Sequence, residues 1–115
     1  MTKLVLRTIA ILLLCTSPIF AKTWTIHFGG KDGSPKYGYS PKELNVQVGD
    51  TIVWEGDFAM HPLSTVSIPS GAKAINSVSE GTSYSYTVQV AGNYSYQCDS
   101  HTDHGMVGSF SASAP

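Results

Sequence analysis

The chain has 115 residues, with seven Lys and Arg against eight Asp and Glu, and a formal net charge of −1 at pH 7. This length supports one small domain with a single core. The balance of charges lacks the basic excess of a nucleic-acid-binding domain and excludes that class of partner.

The first residues have the pattern of a secretory signal. Lys3 and Arg7 give a basic start, residues 9–14 are apolar, and Ala21 provides a small residue before a cleavage site. The apolar run is too short to remain as a membrane span. We therefore expect cleavage after Ala21 and export to the periplasm or another extracytoplasmic space. The mature chain, residues 22–115, would form one domain and act as a monomer.

A lipid anchor on Cys15 is the alternative to simple cleavage. Leu14 disfavours it, because a small residue normally precedes such a cysteine. Without the first 21 residues the chain carries five lysines against eight acidic residues, a net charge of −3.

The mature chain alternates short β-rich runs with turn residues, which predicts an antiparallel β-sandwich of about seven or eight strands. The predicted strands cover residues 24–28, 44–48, 51–54, 63–68, 83–90, 94–97 and 107–111. We expect residues 44–48 and 51–54 to pair as a hairpin around the turn at Gly49-Asp50. Trp54 is predicted to lie in the core.

The predicted strands at residues 83–90 and 94–97 each contain two tyrosines. With a period of two, Tyr84 and Tyr86 share one face, and Tyr94 and Tyr96 share another. We expect that not all four point inward.

The only cysteine after the signal segment is Cys98, which makes it an unpaired thiol in an oxidising compartment. Such a thiol is normally buried or bound to a metal. His101 follows three positions later, and Met106 five positions after that. Thiolate, imidazole and thioether on one short loop are the donors of a type 1 copper centre that lacks one imidazole. His61 is the candidate for that imidazole.

A site that cycles between Cu(I) and Cu(II) must suit both oxidation states. Soft sulfur favours Cu(I), whereas imidazole accepts either state. A rigid sandwich would hold the donors in nearly the same geometry in both states, so that little has to move when an electron is transferred.

Two segments carry a resemblance to a known family. Cys98 to Met106 has the pattern Cys-x2-His-x4-Met, and residues 48–54 read Val-Gly-Asp-Thr-Ile-Val-Trp before His61. The chain resembles the cupredoxin family, the small type 1 (blue) copper proteins of the plastocyanin and pseudoazurin type, over most of residues 42–110.

The resemblance implies an all-β Greek-key β-sandwich of about seven to eight strands and one type 1 copper ion per chain. It also implies one-electron shuttling between larger redox proteins, whose identity the sequence does not give. The implied ligands are His61, Cys98 and His101 in the equatorial plane and Met106 on the axis.

The chain departs from its relatives at two positions. Pro62 stands where related proteins often have a backbone N–H that hydrogen-bonds to the cysteine sulfur, and proline has no such N–H. Gln97 stands where plastocyanins often carry an aromatic residue of a remote electron-transfer patch. We therefore expect a reduction potential lower than that of a Pro62→Asn variant, and electron exchange through the exposed edge of His101.

Five other residues are not expected to act as metal ligands. His104 is expected to be an exposed loop imidazole, although it could replace a ligand or bind a second metal. His27 is interpreted as a structural or surface residue. Met60 is interpreted as a packing residue beside the site, with a role as the sulfur ligand in place of Met106 as the alternative. Phe58 and Pro62 are expected to form an apolar rim.

Three functional hypotheses remain open. The first is an electron carrier, and the second an exported copper chaperone or buffer without a shuttle role. Few methionines and a closed thiolate-bearing loop favour the carrier. The third is an enzyme with Cys98 as nucleophile and a histidine as base. The sequence offers neither an oxyanion hole nor a substrate pocket, so we expect no enzymatic activity. The Cys98 and histidine donors would also bind zinc, but the thioether favours copper.

Overall fold

The structure is a computed structural model that describes residues 20–115. The predicted signal segment and Cys15 therefore lie outside the described residues, apart from residues 20 and 21. Eight strands form two four-stranded sheets. In chain order the strands are β1 Thr23–Phe28, β2 Tyr39–Ser40, β3 Glu43–Gln47, β4 Thr51–Glu55, β5 Leu63–Ser67, β6 Ser83–Thr87, β7 Gly92–Cys98 and β8 Val107–Ser113. Short 3-10 turns at Lys31–Gly33 and Thr102–His104 interrupt two of the loops.

The two sheets have the strand orders β2-β1-β4-β6 and β3-β8-β7-β5. The predicted all-β Greek-key β-sandwich is confirmed, and every predicted strand is present. The expectation of purely antiparallel sheets is wrong, because β1 runs parallel to β4 and β3 runs parallel to β8. Among residues 20–115, no helix has the length and apolarity needed to cross a membrane.

The predicted hairpin of β3 and β4 is also wrong, since these strands belong to different sheets. The turn between them has its own hydrogen bond, from the Asp50 N–H to the carbonyl of Gln47 at 3.0 Å, and is also bonded to Val88. The Gly49 N–H donates to the carbonyl of Val88 at 2.8 Å, and the Val88 N–H donates to the carbonyl of Asp50 at 2.8 Å. The chain therefore crosses from one sheet to the other at this turn.

Aromatic side chains fill the space between the sheets. Trp54 is fully buried, as predicted, and meets the ring of Tyr96 edge to face at 5.2 Å. Tyr86 and Tyr94 are also buried, and Tyr84 packs half-buried against the core. The expectation that the four tyrosines could not all face inward is wrong, because β6 and β7 lie in opposite sheets whose inner faces meet.

Gly108 on β8 is required by the close approach of Tyr96. A Cβ atom at this position would collide with the Tyr96 hydroxyl group and the ring carbon that carries it. The Tyr96 ring is 1% exposed and has little room to move. We predict that Gly108→Ala lowers the free energy of unfolding by about 1–3 kcal/mol through overpacking, as measured by denaturant titration at a fixed copper load.

The matched control is the same substitution in a Tyr96→Phe background. Phenylalanine lacks the oxygen atom that the new methyl group would meet first, so Gly108→Ala should cost less there than in the parent. An equal cost in both backgrounds would contradict the assigned collision.

Candidate metal centre

Three donor atoms converge at one end of the sandwich. The Nδ1 atoms of His61 and His101 are 3.2 Å apart. The Sγ atom of Cys98 lies 3.7 Å from Nδ1 of His61 and 3.3 Å from Nδ1 of His101. The circle through these three atoms has a radius of about 2.0 Å, close to the bond lengths of roughly 2.0–2.3 Å that metals form with imidazole and thiolate. A single metal ion fits at its centre.

His61 reaches Cys98 because the strand that follows it pairs with the strand that ends at Cys98. Leu63 of β5 is the register partner of Cys98 on β7. The pairing extends one residue beyond these strands, because the Asp99 N–H donates to the carbonyl of Pro62 at 2.9 Å. A turn in which the His61 N–H donates to the carbonyl of Asp57 at 3.0 Å completes the approach.

The loop from Cys98 to Met106 is closed by its own backbone hydrogen bonds. The Cys98 N–H donates to the carbonyl of Met106 at 3.0 Å, and the Met106 N–H donates to the carbonyl of His101 at 3.3 Å. Gly105 ends the intervening 3-10 turn with φ +70°, a conformation that favours glycine. Met106 is fully buried directly before β8 begins. The Met106 side chain therefore faces the interior of the protein.

The donors lie in a water-poor environment. Cys98 is fully buried and His61 is 5% exposed, whereas His101 is half-buried. Burial lowers the pKa of His61, with the neighbouring His101 acting in the same direction. Burial raises the pKa of the Cys98 thiol, and the backbone N–H groups of Ser100 and His101 oppose this. His61 is therefore neutral near pH 7, the form in which imidazole binds metals.

The loop between β1 and β2 contacts the imidazole rings of His61 and His101. The sequence did not predict these contacts. Gly29, at φ +67°, lies so close to the His61 ring that a Cβ atom would come within 2.7 Å of it. Tyr37 lies over the ring of His101 at 4.8 Å and stacks on His104 at 4.3 Å. Neither residue stands in a motif, so only the fold could identify them.

The other residues considered from the sequence have varied positions. His104 is exposed, as predicted, and His27 is a surface residue that pairs with Asp32 at 3.0 Å. Met60 is 60% exposed, so it packs less than expected. The interpretation of Phe58 as a rim residue is wrong, since its ring is fully buried beside Phe28 at 4.9 Å.

The chemistry of the donors fits copper. Three lone-pair donors that face one point repel each other unless a proton or a cation lies between them. The set contains one thiolate-forming sulfur and two imidazole nitrogens, which suits copper and also zinc. The proximity of His61, Cys98 and His101 agrees with their predicted role, while that role and the axial role of Met106 stay predictions.

Comparison with known proteins identifies a family. The model of the copper binding proteins of the plastocyanin/azurin family matches residues 25–112. The chain is 34% identical over 110 residues to plastocyanin from Prochlorothrix hollandica, which covers 84% of this chain and 78% of that protein.

Solved structures show the same fold. A pseudoazurin from Sinorhizobium meliloti has a TM-score of 0.66 at 22% identity and covers 82% of this chain and 76% of its own. A variant of amicyanin in the Cu(I) state has a TM-score of 0.58 at 26% identity and covers 79% of this chain and 82% of its own. Because the family model matches most of this chain, the chain belongs to the plastocyanin/azurin family of copper-binding proteins, the small cupredoxins.

Proposed function

We propose that this chain is a type 1 blue copper protein that carries single electrons between larger redox proteins. The observation that carries the proposal is the convergence of two imidazole nitrogens and one thiol sulfur on a single point in a rigid β-sandwich. Copper bound there would supply the chemistry by changing between Cu(I) and Cu(II). The polypeptide holds the donors, excludes water and limits their movement.

Each proposed ligand has a distinct role. His61, Cys98 and His101 would hold the copper ion, and the buried thioether of Met106 would supply a further, weaker donor. The support for this assignment is the donor triangle together with Met106, which is fully buried and whose backbone hydrogen-bonds to Cys98 and His101. Met60 is the other thioether nearby, and its exposure of 60% disfavours it as a donor.

A carrier explains the closed site better than a copper chaperone or buffer does. A chaperone has to exchange its metal, which favours donors that solvent and a partner can reach. Here Cys98 is fully buried, and His61 nearly so. The buried thiol also disfavours an enzyme that uses Cys98 as nucleophile, because a substrate could not reach it.

The route of electron exchange follows from the same geometry. His101 is the least buried of the three converging residues, so we propose that partners dock at its end of the sandwich. Electron exchange through the exposed edge of His101 stays a prediction, and Tyr37 and His104 lie near this ring, at centroid distances of 4.8 and 5.8 Å. Export to an extracytoplasmic space and a monomeric state are part of the proposal and rest on the sequence.

The first prediction from the proposed function concerns the colour of the copper-loaded protein. Added Cu(II) should produce an intense absorption band at roughly 600 nm from the Cu–thiolate bond. The band should be absent in Cys98→Ser, which replaces the only thiol of residues 22–115. It should persist in His104→Ala, the control for a neighbouring imidazole outside the donor triangle. A colourless parent protein would refute the type 1 site.

The second prediction separates the two thioethers. Met106→Gln replaces a soft sulfur by a harder carbonyl oxygen, which favours Cu(II) and should lower the reduction potential measured by voltammetry. Met60→Gln makes the same change at an exposed position and should leave the potential nearly unchanged. The reverse pattern would assign the axial role to Met60.

The third prediction concerns Pro62, which offers no N–H to the sulfur of Cys98. An added hydrogen bond to the thiolate lowers its electron density and favours Cu(I). Pro62→Asn should therefore raise the reduction potential, by an amount on the order of tens of millivolts for one hydrogen bond.

Pro62→Ala is the matched control, since alanine restores the N–H without a polar side chain. Equal increases in both variants would assign the effect to the backbone. A parent potential equal to or above that of both variants would show that the missing N–H does not set the potential.

A further inference from the structure

Asp50 is a buried carboxylate at the end of the sandwich opposite the metal centre, directly before β4. It is 4% exposed. Its oxygens accept three N–H groups, from the backbone of Lys22 at 2.9 Å, the indole of Trp24 at 3.0 Å and the backbone of Gln47 at 3.0 Å. These bonds, of which that from Lys22 contributes most, hold the pKa of Asp50 below its usual value. The carboxylate is therefore charged at neutral pH.

The three N–H donors already offset the desolvation of this charge, and a partner of opposite charge in direct contact would stabilise it further. Among residues 20–115, the side-chain ion pairs are those of His27 with Asp32 and with Glu55. The side-chain ammonium of Lys22 lies instead over the ring of Trp24, at 5.2 Å from its centroid. Asp50 thus has hydrogen-bond donors but no side-chain cation within ion-pair distance.

The backbone nitrogen of Lys22 is the atom that can bring an opposite charge into direct contact, because it already donates to Asp50 at 2.9 Å. The sequence predicts cleavage between Ala21 and Lys22, which would turn this nitrogen from an amide into an α-ammonium group. The carbonyl of Lys22 accepts the Thr51 N–H at 2.9 Å, which fixes the residue against the strand that follows Asp50. We propose that removal of residues 1–21 creates an ion pair between the Lys22 α-ammonium group and Asp50.

The position of the cut matters in this arrangement. Each residue added or removed shifts the chain end by about 3.3–3.6 Å, which takes the ammonium group out of contact with the carboxylate. The precursor retains the hydrogen bond but presents only a neutral N–H group. Processing therefore completes the charge balance at this end of the sandwich and stabilises the mature chain over its precursor.

This inference does not depend on copper binding, and its first test is the mass of the exported protein. The full chain is expressed with its own leader and recovered from the extracytoplasmic fraction. A mass that corresponds to residues 22–115 is expected. A chain that begins at another residue, or a lipid-modified chain that begins at Cys15, would overturn the proposal.

The second test compares stability at equal copper load, so that metal binding cancels from the differences. One protein begins at Lys22, and the control begins at Phe20, which leaves Lys22 with a neutral amide. The unfolding equilibrium constant of the extended chain should be about two- to fivefold larger, as expected for a partly exposed ion pair. At a pH high enough to deprotonate the α-ammonium group this ratio should fall towards one, because the neutral amine no longer attracts the carboxylate of Asp50.

The same pair of proteins with Asp50→Asn isolates the partner. Asparagine keeps the size of the side chain but removes its charge, so the advantage of beginning at Lys22 should disappear. An advantage of equal size in the Asp50 and Asn backgrounds would overturn the ion pair. If the Asn variant does not fold, the pH dependence in the parent background decides: a ratio that stays constant after the α-amino group has lost its proton refutes the proposal.

Discussion

The hydrogen-bond ladder of β5, β7 and β8 is the constraint on which the metal centre depends. Cys98 is the last residue of β7, opposite Leu63 of β5, and its N–H donates to the carbonyl of Met106. In a strand, a register shift of one residue turns every side chain to the other face. Such a shift would turn Cys98 away from His61 and His101. Backbone pairing alone therefore brings two distant segments of the chain to one point.

The sequence predicted the strands better than their partners, for a physical reason. Alternation of polar and apolar residues is a local property, so it identifies a strand and its buried face. It contains no information about which sheet the strand joins. The Gly49-Asp50 turn has the composition of a hairpin, yet its backbone groups bond to Val88. The orientation of the four tyrosines depends on the same information. All four face inward because β6 and β7 belong to different sheets that face each other across the core.

The site was predicted to the extent that its residues stand in a motif. Cys98, His101 and Met106 have a recognisable spacing, and His61 could be placed by its position after Trp54. The supports in the loop after β1 have no such spacing. Gly29 is explained only by the His61 ring beside it, and Tyr37 only by the imidazoles that it covers.

Burial decides what the Cys98 and His61 pair can do. A cysteine nucleophile needs a thiolate, and a charged histidine beside it commonly supplies the stabilisation. Here burial raises the pKa of the thiol and lowers that of the imidazole, so both groups are driven towards their neutral forms. A metal cation reverses this for the thiol, since a coordinating thiol is deprotonated outright. The desolvation that would disable a nucleophile is thus compatible with a metal ligand, and it would keep competing water away from a bound ion.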